Sequence, residues 1–183
     1  MKKILLTSLL LGASVFADPV PQNIINTGDK LSKELLNKLS SKLKYEMKTN
    51  GLLAAASFCN TNAHILTEEV NLHQLEGITV KRISLKERSA ANIPLEDETK
   101  ALQSLQVLLN EKKLPAYVIE ESPQSYKYYK PLLIQQEACL KCHGNITETH
   151  ELSEFLKENY PQDKARGYKM GDLRGAIVVE IKK

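Results

Sequence analysis

Three cysteines, two of them in the run Cys139-Leu140-Lys141-Cys142-His143, restrict what this 183-residue chain can fold around more than any other residues do. Thiols three apart, with a histidine directly after the second, meet the demands of covalent haem attachment. Each thiol can bond one vinyl group of a porphyrin, and the histidine is then placed to coordinate the iron from the same side. Two rival readings exist. A zinc site wants a second pair of Cys or His ligands at comparable spacing. Only Cys59, His64, His73 and His150 remain, and no two of them form such a pair. A redox dithiol wants its motif to open a helix within an alternating βαβ pattern, which the rest of the chain lacks. One covalent haem c is therefore preferred, with Cys139 and Cys142 as thioethers and His143 as proximal ligand. A non-haem thiol or zinc protein is the lesser alternative.

The N-terminus agrees with that chemistry. Lys2 and Lys3 precede the apolar stretch Ile4–Gly12, and Val15 and Ala17 supply small residues at −3 and −1 of a cleavage site. Residues 1–17 thus read as a signal peptide, leaving 18–183 as one exported, periplasmic domain, in the compartment where haem c is attached. An uncleaved anchor is the alternative, but the apolar run is short for a membrane span and no later segment reaches spanning length. The net charge falls from +3 to +1 once Lys2 and Lys3 are removed. That balance gives no ground for binding nucleic acid or an anionic membrane. An aromatic content of 5% without tryptophan offers bases no stacking platform either.

Apolar residues recur at helical spacing from about 22 to 48, at Ile24, Leu31, Leu35, Leu39, Leu43 and Met47, with lysines on the solvated face. Asn50-Gly51 breaks the pattern, and Leu52–Ala63 reads as a second, more buried helix. Gly77–Ser84 alternates as a half-buried strand does. Arg88–Pro94 is a loop, and Leu95–Lys112 a helix with Leu102, Leu105 and Leu109 inward. Strands are expected at Ala116–Glu121, Tyr126–Ile134 and Gly175–Ile181, with a short helix at Thr149–Tyr160. Pro131 suits an edge or a bulge better than a central strand. Helices at the N-terminus packed on several antiparallel strands predict an α+β domain.

Cys59 is left over as an odd thiol in an oxidising compartment, which calls for a reason. For the second axial position, spacing alone ranks Met170 first, His64 or His73 next and Cys59 last, while Met47 fits the apolar stripe of the first helix. Several stretches change that order: "AAASFC", "VKRISLKER", "NIP", "YYKPLL", "CLKCHG" and "YPQDKARGYKMGDLRGAIVVEI". Together, from about Leu52 to the C-terminus, they resemble a family of bacterial c-type haem domains with a PAS-like fold, long catalogued as a domain of unknown function. The resemblance implies a PAS-like antiparallel sheet, His143 as proximal ligand and Cys59, on the preceding helix, as distal ligand. It leaves Met170 at a variable position. The loop departs from the family's pattern, matching only at Arg88, Asn92 and Pro94, and a tryptophan often found shortly after it is absent. Bound to iron, a thiolate escapes disulfide exchange and lowers the reduction potential relative to Met/His ligation. The bland alternative for Cys59 is an inert buried thiol.

Arg82, Arg88 and Arg174 lie within the resembling stretches, and the arginine fork suits the two haem propionates. Tyr128, Tyr129 and Tyr168 are candidates to pack on the haem. The expected function is that of an exported monohaem c-type cytochrome-like protein, in redox or small-ligand sensing or in electron transfer. A redox partner or signalling protein is implied, and a homodimer is left open. No catalytic residues are assigned. The alternative, a peroxidase or small-molecule reductase, needs an open sixth position and distal acid–base groups, with His64 the candidate base.

Overall fold

Lysines flank the apolar stripe of α1 (Gln22–Thr49) because one side of this helix lies on a sheet and the other in water. The computed structural model describes residues 19–146 and 149–183; the signal peptide expected at 1–17 lies outside the described residues. Ile24, Leu31 and Leu35 are fully buried, whereas Leu39, Leu43 and Met47 are half-buried. Gly51, at φ 87°, turns the chain into α2 (Gly51–Leu72). This helix runs well past Ala63, because Leu66, Thr67 and Val70 keep a buried face at helical spacing. Thr67 Oγ1 donates to the Ala63 carbonyl at 2.9 Å, satisfying a polar group that faces the core.

The remaining elements are β1 (Ile78–Ile83), a 3₁₀ turn at Ala90–Asn92, α3 (Glu96–Asn110), β2 (Val118–Glu121), β3 (Ser125–Leu133), α4 (Glu137–His143), α5 (His150–Asn159) and β4 (Leu173–Lys182). The sheet has the order β1-β4-β3-β2 and every pair is antiparallel. The last strand therefore lies inside the sheet, covered on both faces. Ile177, Val179 and Ile181 meet Leu31, Leu35 and Val70 on the α1–α2 side, while Ala176 and Val178 meet Leu102 and Leu105 of α3. Two covered faces explain a near-continuous apolar run in place of an alternating one. Tyr128 and Tyr129 project to opposite faces, and both are fully buried. The α+β class expected from the sequence is the observed one. Pro131 lies beyond the end of β2, whose pairing stops at Tyr129, and beside the register irregularity at Leu132/Leu133. Among the described residues no helix is long and apolar enough to cross a membrane.

Gly28 brings α1 against the sheet: a Cβ there would overlap the Tyr128 ring. Alanine gains about 1 kcal/mol of helix propensity, yet overpacking a closed core costs about 1–3 kcal/mol. The Tyr128 ring cannot retreat, being stacked on Tyr117 at 4.9 Å between centroids. Gly28→Ala is therefore expected to lower the urea midpoint; a raised midpoint would contradict this packing.

Candidate functional site

Cys139, Cys142 and His143 fall at i, i+3 and i+4 of α4, so one short helix presents all three on a single face. On α2 the same arithmetic aligns Ala55, Ala56 and Cys59. The two faces line one cavity of about 130 Å³, where the alanines leave room between them. The C-terminal half of α1 closes it with Leu43 and Met47, and β1, β4 and the loop after β1 bring in Arg82, Arg174 and Arg88. All three cysteines are free thiols. Among the described residues no three His, Cys, Asp or Glu side chains are grouped to hold a bare metal ion.

His143 Nδ1 lies 2.9 Å from the Ala165 carbonyl oxygen. A carbonyl only accepts, so Nδ1 carries the proton and Nε2 keeps its lone pair. Burial pushes the imidazole pKa down to about 3, with the Arg174 and Arg88 charges adding to it. A neutral imidazole at every ordinary pH is a ready donor ligand. The segment that supplies Ala165 is tied to α4 by two further bonds: Tyr168 N–H to His143 O at 2.9 Å and Gly167 N–H to Gly144 O at 3.0 Å. Gly167 makes this return possible at φ 69°. The Tyr168 ring meets the imidazole edge-on, 6.1 Å between centroids.

The three arginines differ in how their donors are used. Arg174 Nη1 donates to Ser84 Oγ at 2.8 Å and Lys86 O at 3.2 Å. Arg88 donates from Nε to Asp163 Oδ1 at 3.1 Å and from Nη2 to Cys142 O at 2.7 Å and Ala165 O at 3.3 Å. Arg82 Nε is buried and, among the described residues, has no hydrogen-bond partner. Burial pushes the Arg82 pKa down and the neighbouring Cys59 works against that. Burial likewise pushes the Cys59 thiol up, with Arg82 and then Arg88 pulling it back. A buried unpaired guanidinium donor costs free energy unless an acceptor reaches it. The wall beside Cys59 is thus set to receive negative charge, from a carboxylate or from the thiolate itself.

Among the residues singled out by sequence, Cys59, Cys139, Cys142, His143, Arg82, Arg88 and Arg174 all line this cavity. Met170 does not; it is 49% exposed, beside Gly171 at φ 88°. His64 and His73 are exposed, the latter held to the Glu69 carbonyl of its own helix. Tyr128 and Tyr129 belong to the sheet core, and only Tyr168 of the three tyrosines meets His143. Sequence reasoning gave no role to Tyr160, which lines the cavity, or to Asp163 and Ala165, which hold Arg88 and His143. The one available signal was the ordered run Tyr160-Pro161-Gln162-Asp163-Lys164-Ala165.

A search of curated proteins finds no match. A solved structure, described as the crystal structure of the cyanobacterial heme-protein Tll0287, superposes with a TM-score of 0.62 at 23% identity. The match covers 91% of this chain and 98% of that one, and shows a shared fold. A family model, Tll0287-like, matches residues 18–182, nearly the whole sequence. By that match, this chain belongs to the Tll0287-like family.

Proposed function

We propose that this chain is an exported haem protein with a PAS-like sheet, holding one c-type haem and working through the redox or ligation state of its iron. The observation that carries the reading is the convergence of Cys59, Cys139, Cys142 and His143 on one cavity whose wall holds the unpaired Arg82 donor. Membership of a family whose solved relative is described as a heme-protein supports it. When bound, the group supplies a one-electron couple at iron. Cys139 and Cys142 would hold it covalently, and His143, with its proton fixed on Nδ1, would ligate from the α4 side. Cys59 would ligate from the α2 side, with Arg82 favouring its thiolate. Arg82 and Arg174, which line the same cavity, would donate to the carboxylates of the haem.

The haem-enzyme alternative has no such support, since its candidate base, His64, is exposed and does not line this cavity. Between sensing and electron transfer, the firmness of the Cys59 bond decides. Optical and electron paramagnetic resonance spectra of the matured protein test the ligand set. Low-spin ferric haem is expected, its thiolate signature lost in Cys59→Ser and kept in Met170→Ala. The reverse pattern would mean a His/Met centre. Nitric oxide or carbon monoxide displacing the sixth ligand of the reduced protein favours sensing; an inert centre favours electron transfer.

A further inference from the structure

The carbonyl that orients His143 accepts twice. Ala165 O takes the imidazole Nδ1–H at 2.9 Å and the Arg88 Nη2–H at 3.3 Å. Arg88 in turn is held by Asp163, with Nε at 3.1 Å from Oδ1 and Nη2 at 3.1 Å from Oδ2. Both groups are sequestered: the Asp163 side chain is 1% exposed and that of Arg88 12%. Asp163 Oδ1 also accepts the Ala165 N–H at 2.9 Å. One residue, Ala165, is therefore gripped at its N–H by a carboxylate and at its carbonyl by a guanidinium, and His143 hangs from the same oxygen.

We infer that Arg88 and Asp163 form a pair of positioning residues with opposed charges that sets how strongly His143 donates to a metal. A second donor on a carbonyl draws density from it, which weakens its hold on the imidazole proton and leaves the ring a poorer electron donor. In a site of low dielectric such polarisation carries further than in water. The Arg88 charge also disfavours an extra positive charge at iron, and Asp163 favours it. The two side chains thus pull the iron couple in opposite directions while holding one geometry together. A mere structural staple does not do this, because loosening either end of a staple disturbs His143 in the same sense.

The inference rests on the haem reading above, and the test separates the two. Spectroelectrochemical titration of the matured wild type is compared with Arg88→Met, Arg88→Lys and Asp163→Asn. At a fixed ambient potential, Arg88→Met is expected to raise the ferric-to-ferrous ratio about tenfold, which is about 59 mV for a one-electron couple. Asp163→Asn is expected to lower that ratio by a similar factor. Arg88→Lys, which keeps the charge, should stay within about threefold of wild type. If Arg88→Met does not accumulate as holoprotein, Asp163→Asn decides alone. Shifts of the same sign in both charge-removing variants, or an unmoved ratio in Asp163→Asn with its low-spin spectrum retained, overturn the pair. A wild type that carries no covalent haem overturns the reading beneath it.

Discussion

Asp163→Ala is expected to destabilise the protein by about 3–5 kcal/mol, the cost of leaving a buried cation without its partner. The Asp163 carboxylate takes Arg88 and Arg166 on its two oxygens and is 1% exposed. Its loss strands the Arg88 guanidinium against the Cys142 and Ala165 carbonyls. An exposed pair such as Lys100–Glu96 contributes no more than about 0.5 kcal/mol by comparison. The pH dependence follows from the sign of the shift. Burial is the largest influence on Asp163 and pushes its pKa up, but the hydrogen bonds from Arg88 and Arg166 outweigh it and hold the group below the usual value. A folded-state pKa below that of the unfolded chain, about 3.9, adds stability that is fully present above the unfolded value. That stability is lost as pH falls through the folded one. Urea unfolding at pH 7 should show the full gap between wild type and Asp163→Ala, narrowing as pH drops below about 4. A gap independent of pH would mean that the carboxylate acts through packing and not through its charge.

On the proposed covalent attachment, replacing Cys139 and Cys142 together with serine is expected to leave the haem extractable where the wild type retains it. Two thioether bonds keep a haem on the polypeptide through acid–acetone extraction and denaturing electrophoresis, whereas ligation alone does not survive them. The double variant should release all of its pigment under either treatment. The fold should survive, because both side chains are only half-buried and serine is close in volume. Cys142 lies at the rim of the α2–α5 cluster around Leu152 and Leu156, and Cys139 beside Ile134 and Tyr168. Pigment retained after extraction of the double variant would show attachment elsewhere. Pigment lost from the wild type would remove covalent attachment altogether.

What could be read without coordinates was what depends on neighbours in sequence. The stripe of α1 and the apolar–polar pattern of β1 are periodicities within single elements. They follow from 3.6 residues per turn or two per strand repeat. The α+β class follows from their order. The length of α2 was less legible, because Leu66 and Val70 extend a helix whose polar stretch around Asn60 and Asn62 resembles an end.

The membership of the cavity was decided by tertiary structure. Cys59 meets the Cys139–His143 face only because α2 and α4, separated in sequence by α3 and three strands, pack around one space. Met170 stands closer to the motif in sequence and still falls outside that space, on an exposed turn two residues past Tyr168. Arg82 and Arg88 are equally plain as sequence. Yet one has a buried donor with no partner among the described residues, and the other is clamped by Asp163. The Cys139-Leu140-Lys141-Cys142-His143 run by itself determined the spacing of two thiols and an imidazole, and the fold decided that they share one face of the short helix α4. Which thiol, which cations and which carbonyl surround that face was determined by the packing of distant segments, since charge and burial act through space and not along the chain.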